Sequence, residues 1–170
     1  MKIVIYGAGK HAELTHHFFT HDSPHEVVAF CVNAAYLPSA NATFMGLPLV
    51  AFEEISGYYP SSDYHLHIAL GQVQARQQIF ESTKAQSYHF ASYISTRANI
   101  WPDLIVGDNA FIDPSAIIYP CVTLGDNVMV IGCIVGHHSV VGSHVLISGA
   151  ILGQCDGWQQ HIHRYGGHYP

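Results

Sequence analysis

The stretch VGHHSVVGSH, residues 135–144, sets His137 and His138 side by side between two Val-Gly pairs, with His144 six residues beyond His138. Imidazole has an unperturbed pKa of about 6.5, so it can act as a neutral base at cellular pH. It also ligates metals and decorates solvated turns. Which role applies depends on how the surrounding chain folds.

That chain repeats. From Ile94 it reads in sixes: ISTRAN, IWPDLI, VGDNAF, IDPSAI, IYPCVT, LGDNVM. After VIGCI, one residue short, the register resumes as VGHHSV, VGSHVL and ISGAIL. Every unit opens on an aliphatic residue: Ile94, Ile100, Val106, Ile112, Ile118, Leu124, Val130, Val135, Val141 and Ile147. Period six with small turn residues predicts a parallel β-helix, three units to a triangular coil of about 18 residues. First positions stack inward, and small fifth positions fit the tight interior. Gly107, Gly125, Gly136 and Gly142 relieve crowding at the turns. His138 and His144 hold the same place in successive sixes and therefore sit on different sides of the triangle. They are not expected to share a metal. The histidines of HIHRYGGH (161–168) read as a solvated terminus, so no metal is expected there either.

The first half has another grammar. Lys2–Tyr6 is a β-branched strand, Gly7-Ala8-Gly9-Lys10-His11-Ala12 a tight glycine turn, and a helix follows to about Thr20. Such a turn lets a phosphate approach the backbone at a helix N-terminus, although G-x-G-x-x-A also occurs as a bare turn. The second strand, Glu26–Val32, ends at Asn33, where a nicotinamide enzyme carries an acid for the ribose. Asn33 weakens the oxidoreductase reading and leaves room for another nucleotide. A short strand at Leu49–Val50, a short helix, a strand over 65–71 ending at Gly71, and a helix from Gln72 complete the set. Alternating strands and helices predict a small parallel sheet covered on its faces.

The chain has 170 residues, 49% hydrophobic and 11% charged, which describes a core-rich folded protein. Its net charge is −6 with only 6 Lys and Arg, and no basic cluster offers a surface to nucleic acid. The 14 histidines are scattered and expected mostly at the surface. The four cysteines form no C-x-x-C pair and read as reduced thiols of a cytoplasmic protein. No secretory leader and no membrane span are expected.

Taken together, YGAGKHA, IALG with the following QARQQI, the sixes and GHH resemble the bacterial sugar acyltransferases, the sialic acid O-acetyltransferase and bacillosamine-type N-acetyltransferase family. The resemblance covers about residues 1–152. It implies a Rossmann-like α/β domain over 1–92 that binds a nucleotide-linked sugar. It implies a left-handed parallel β-helix over 93–154, with 155–170 an irregular tail. It further implies a homotrimer, acetyl-CoA lying along the β-helix, and an active site between neighbouring subunits. His137 takes the place of the general base, and His138 stands where many relatives carry an orienting Asp or Glu. Binding positions implied for the nucleotide sugar and acetyl-CoA are Gly7, Ala8, Gly9, Lys10, His11, Asn33, Gly71, Gln72, Gly136, His144 and Leu146, the last where some relatives carry a second histidine. The family usually continues for several coils past residue 152, so an abbreviated CoA site is expected. The alternative activity is a non-catalytic nucleotide-sugar-binding protein.

Overall fold

A computed structural model describes residues 1–153 of the chain; the tail from Cys155 and its histidines lie outside the described residues. The chain divides into two compact units, Met1–Ala91 and Ser92–Pro170.

The first unit is a five-stranded sheet of β1 (Lys2–Tyr6), β2 (Glu26–Val32), β3 (Thr43–Phe44), β4 (Leu47–Ala51) and β5 (Tyr64–Ile68), ordered β3-β4-β2-β1-β5. Its pairings are parallel except β3–β4, a short antiparallel edge. Ile3, Val4 and Ile5 are all fully buried, because a central parallel strand is covered on both faces and so reads as an apolar run. Helix α1 (Lys10–His21) buries Ala12, Thr15 and Phe19. After the single turn α2 (Ile55–Tyr58), helix α3 (Val73–Ala85) buries Val73, Arg76, Phe80 and Thr83. Ile79 is only half-buried; Phe80 takes the core position. From β1 the chain builds outward through β2 to β4 on one side, then returns to place β5 on the other. The C-terminal end of β1 is therefore the switch point where such sheets open a crevice.

The second unit is a parallel β-helix of three faces. One face stacks β6 (Tyr93–Ile94), β9 (Phe111–Ile112), β12 (Met129–Ile131) and β15 (Leu146–Ser148). The next stacks β7 (Asn99–Ile100), β10 (Ile117–Ile118), β13 (Ile134–Val135) and β16 (Ile151–Leu152). The third stacks β8 (Ile105–Val106), β11 (Thr123–Leu124) and β14 (Val140–Val141). Inward residues pair one coil apart, as in Ile100, Ile118, Val135 and Leu152. With Ile112, Leu124, Val130, Val141 and Ile147 they form one continuous core.

Two details depart from the sixes. Ile94 heads its stack and is 37% exposed, having a neighbouring coil on one side only. ISGAI is a second five-residue unit, since Leu152, not residue 153, joins the stack on Val135. Both short units turn the same corner of the triangle, through Gly132 and Gly149 at φ 61°. This left-handed conformation costs a glycine nothing sterically and closes the corner with one residue fewer. The shortening at VIGCI is thus absorbed before β13, and β13 pairs with β10 in register.

Candidate active site

His137 and His138 lie on the corner between the second and third faces, one rung from Pro120 and Cys121. The His138 N–H donates to the Pro120 carbonyl at 3.1 Å. In the coil before, the Cys121 N–H donates to the Asp103 carboxylate at 2.7 Å. Cys121 and His138 both have φ near +60° (62° and 57°), the left-handed turn position that histidine tolerates better than bulky or β-branched residues. Both imidazoles are exposed, and their Nδ1 atoms lie 3.0 Å apart. Gly136 sits at the end of β13 beside them, its N–H bonded to the Leu152 carbonyl.

His144 is elsewhere, on the corner between the third and first faces, and is 9% exposed. There Asn109 Nδ2 donates to Asn127 Oδ1 at 2.8 Å, and Asn127 Nδ2 lies 2.9 Å from His144 Nδ1. His144 thus forms the third rung of a buried polar ladder. Leu146, at the start of β15, is half-buried opposite Met129. Among the described residues no group of three or more His, Cys, Asp or Glu could hold a metal ion.

In the first unit a cavity of about 460 Å³ opens at the ends of β1, β2 and β5. Its wall includes Tyr6, Gly7, Ala8, Asn33, Tyr36 and Leu70, with Ala75, Gln78 and Ile79 of α3. Gly7 is at φ 126°, and a Cβ there would approach the Ala69 carbonyl oxygen to 3.0 Å, so the turn requires glycine. Gly9 caps α1. The Lys10 ammonium lies 3.2 Å from the Glu13 carboxylate, an exposed pair of little energetic weight. Gly71 and Gln72 are exposed at the turn into α3, outside that wall.

Sequence reasoning missed the cavity's main polar contact. The Tyr6 hydroxyl donates to Asn33 Oδ1 at 2.6 Å. Burial, with smaller effects from Cys31 and Glu53, pushes the Tyr6 phenol up to about 12, so it keeps its proton. Glu53 was also missed: its carboxylate accepts the Ala34 N–H at 2.8 Å, which brings an acid to the end of β2 from the 3-10 turn that follows β4. Nothing in the spacing of Tyr6, the last residue of its strand, shows where its hydroxyl points.

The histidines are less superficial than expected. Among the described ones, only His17, His21, His89, His137 and His138 are exposed. His11, in the first turn of α1, is half-buried and lowered to about 4, mainly by burial and then by the Arg76 charge. His67 is buried, its Nδ1 2.8 Å from the Ala91 carbonyl; burial lowers it to about 3. Arg76 is fully buried, donates to the Leu70 carbonyl at 3.0 Å, and is lowered by burial to about 10. His11 therefore belongs to a neutral imidazole–guanidinium cluster behind the glycine turn. Among the described residues no helix is long and apolar enough to cross a membrane.

The chain thus carries a Rossmann-like crevice domain and a hexapeptide β-helix with a paired histidine on one corner. Residues 2–83 match the family model described as the PglD N-terminal domain, in keeping with the resemblance carried by the sequence. Solved structures agree on the fold. The acetyltransferase domain of PglB from Neisseria gonorrhoeae superposes with a TM-score of 0.70 at 18% identity, covering 86% of this chain and 70% of that one. A mutant of perosamine N-acetyltransferase from Caulobacter crescentus, in complex with CoA and GDP-perosamine, gives 0.64 at 18% identity, covering 90% and 83%. WeeI from Acinetobacter baumannii gives 0.66 at 18% identity, covering 90% and 73%. No curated protein matches the chain.

Proposed function

We propose that the protein transfers an acetyl group from acetyl-CoA to an amino or hydroxyl group of a nucleotide-activated sugar, with His137 as general base. The observation that carries this reading is the exposed imidazole of His137, its Nδ1 engaged by His138. Its Nε2 is then the nitrogen left to take a proton. The acceptor's lone pair attacks the thioester carbonyl carbon and the C–S bond breaks. His137 removes the acceptor's proton and returns it to the leaving thiolate. A thioester is an activated donor, so neither a metal nor a covalent enzyme intermediate is needed. Such general-base help is worth about 10²–10⁴-fold in rate.

The crevice at Tyr6, Gly7, Ala8 and Asn33 is proposed to hold the nucleotide, at the position where doubly wound sheets bind ligands. The outward column Ile105, Thr123 and Val140 flanks the histidine corner with Ile105 64% and Val140 45% exposed, which suits the apolar arm of acetyl-CoA. Perosamine N-acetyltransferase, a relative in fold, was solved with CoA and GDP-perosamine, which supports both ligand classes. The homotrimer implied by the resemblance remains part of the proposal.

The test is calorimetry with acetyl-CoA and with UDP- and GDP-linked amino sugars, followed by turnover of wild type and His137→Ala. The expected result is binding of both ligand classes, with turnover lost in a variant that still folds. Equal turnover in His137→Ala removes the proposed base. Nucleotide-sugar binding without acetyl-CoA binding makes the chain a binding protein instead.

A further inference from the structure

Gly136, His137, His138 and Ser139 turn the chain from β13 into β14. Ser139 holds the place that Leu104 and Val122 hold in the two coils before it, as the pairing of Ile105, Thr123 and Val140 fixes. Val122 belongs to the apolar core, Leu104 packs against it, and Ser139 is fully buried. A hydroxyl where an aliphatic side chain fits is unfavourable unless it finds an acceptor. Ser139 Oγ donates to the Gly136 carbonyl at 2.7 Å, with the Gly153 carbonyl at 3.2 Å. A hydroxyl has one proton, so the shorter contact carries the bond. In the equivalent turn two coils earlier the closing bond is a backbone one, from the Leu104 N–H to the Trp101 carbonyl at 3.2 Å.

The position of that acceptor in the chain gives the bond its consequence. The Gly136 carbonyl belongs to the peptide unit before His137. The His138 N–H belongs to the unit after it, and donates to the Pro120 carbonyl at 3.1 Å. Peptide units are planar, so pinning one on each side of His137 fixes its φ and ψ, and with them where its ring can reach. We propose that Ser139 is a positioning residue for His137: its hydroxyl pins one flanking peptide unit, as the Pro120 carbonyl pins the other, and so holds the imidazole at its 3.0 Å pairing with His138. The effect on rate rests on the acyltransfer reading, whereas the pairing is observable without turnover. Without the hydroxyl the Gly136–His137 peptide unit is free to rotate, the pairing loosens, and both neutral tautomers of His137 become populated. A base displaced from its working position costs rate and not substrate affinity.

Ser139→Val and Ser139→Thr have nearly the same shape and differ in the hydroxyl, and Val122 shows that valine fits this place one coil earlier. Ser139→Ala removes the hydroxyl without crowding. In the full chain, nitrogen-15 NMR reads the His137 ring, and turnover is followed with acetyl-CoA and UDP- or GDP-linked amino sugars. The expected result is a single His137 tautomer in the wild type and in Ser139→Thr, and averaged ring-nitrogen shifts in Ser139→Val and Ser139→Ala. The same two variants lose kcat roughly tenfold at unchanged KM, and Ser139→Thr restores it. Wild-type His137 shifts in Ser139→Ala overturn the proposal. A lowered melting temperature with those shifts unchanged does so as well, and makes Ser139 a link to Gly153 in the next coil instead. If the wild type transfers no acetyl group, the acyltransfer reading falls, and the His137 shifts still decide the role of Ser139.

Discussion

His137 and His138 share a hydrogen bond between their Nδ1 atoms, 3.0 Å apart, with His138 at a left-handed φ of 57°. One ring must donate and the other accept. A base working at Nε2 of His137 requires the proton on its Nδ1, hence acceptance by His138 Nδ1. His138 then fixes ring orientation and tautomer without bringing a charge. His138→Asp, which keeps an acceptor, should retain most turnover, whereas His138→Ala should lose it at unchanged melting temperature. Nitrogen-15 NMR of the wild type should show His137 protonated at Nδ1. Finding it protonated at Nε2, with full turnover in His138→Ala, removes His138 from the mechanism.

Two of the imidazoles that burial lowers, His11 and His67, make stability depend on acid. Above about pH 6.5 folded and unfolded chains both hold these rings neutral. Below it the unfolded chain binds protons that the folded one refuses, until pH reaches about 4 for His11 and about 3 for His67. Stability is therefore complete above the unfolded pKa and falls as pH drops through that window, by up to about 1.4 kcal/mol per pH unit for each group. Denaturant midpoints measured from pH 7 to pH 4 should fall accordingly. His67→Leu should flatten the slope even if it lowers the pH 7 value. A slope unchanged by that substitution would show that His67 does not titrate in this way.

Much of this was legible because it is periodic. The inward stack from Ile112 to Ile147 follows from spacing alone, as does the separation of His138 from His144. What spacing missed depends on neighbours a coil or a strand away. Ile94 obeys the pattern yet lacks a coil on one side. ISGAIL looks like a six until pairing puts Leu152 on Val135. Asn109, Asn127 and His144 share a turn position in sequence, but only stacking converts it into a hydrogen-bonded ladder. In the first unit the glycine turn was readable. The burial of Arg76 beside two neutral histidines was not.

The close stacking of coils makes Gly125 irreplaceable. A Cβ there would lie 2.7 Å from both the backbone nitrogen and the hydroxyl of Ser143. Backbone cannot yield as a side-chain tip can, so Gly125→Ala should cost about 1–3 kcal/mol, the usual penalty of overpacking. Gly57 in α2 has nothing within 4 Å of its Cβ position, and Gly57→Ala should be neutral or slightly stabilising. Thermal melts of the two variants compare a stacked corner with an open helix. Equal melting temperatures would contradict the coil spacing described.

The Tyr6–Asn33 bond sets what the crevice can recognise. The phenol donates to Asn33 Oδ1 at 2.6 Å, so the amide nitrogen carries the donors that Asn33 has left to offer a ligand, while the Tyr6 oxygen retains lone pairs. Tyr6→Phe removes that restraint and lets the amide rotate. The aromatic body should still pack edge-on against Phe52, whose ring centroid lies 5.2 Å away, so the fold should persist. If the nucleotide sits here, its affinity should fall roughly tenfold, the worth of one hydrogen bond and the order it imposes. Acetyl-CoA affinity should stay constant, because that ligand is proposed for the β-helix. Calorimetry with UDP, GDP and acetyl-CoA on wild type and Tyr6→Phe reads both quantities. An unchanged affinity for the nucleotides would place their site away from Asn33, and a parallel loss for acetyl-CoA would point to a global defect instead.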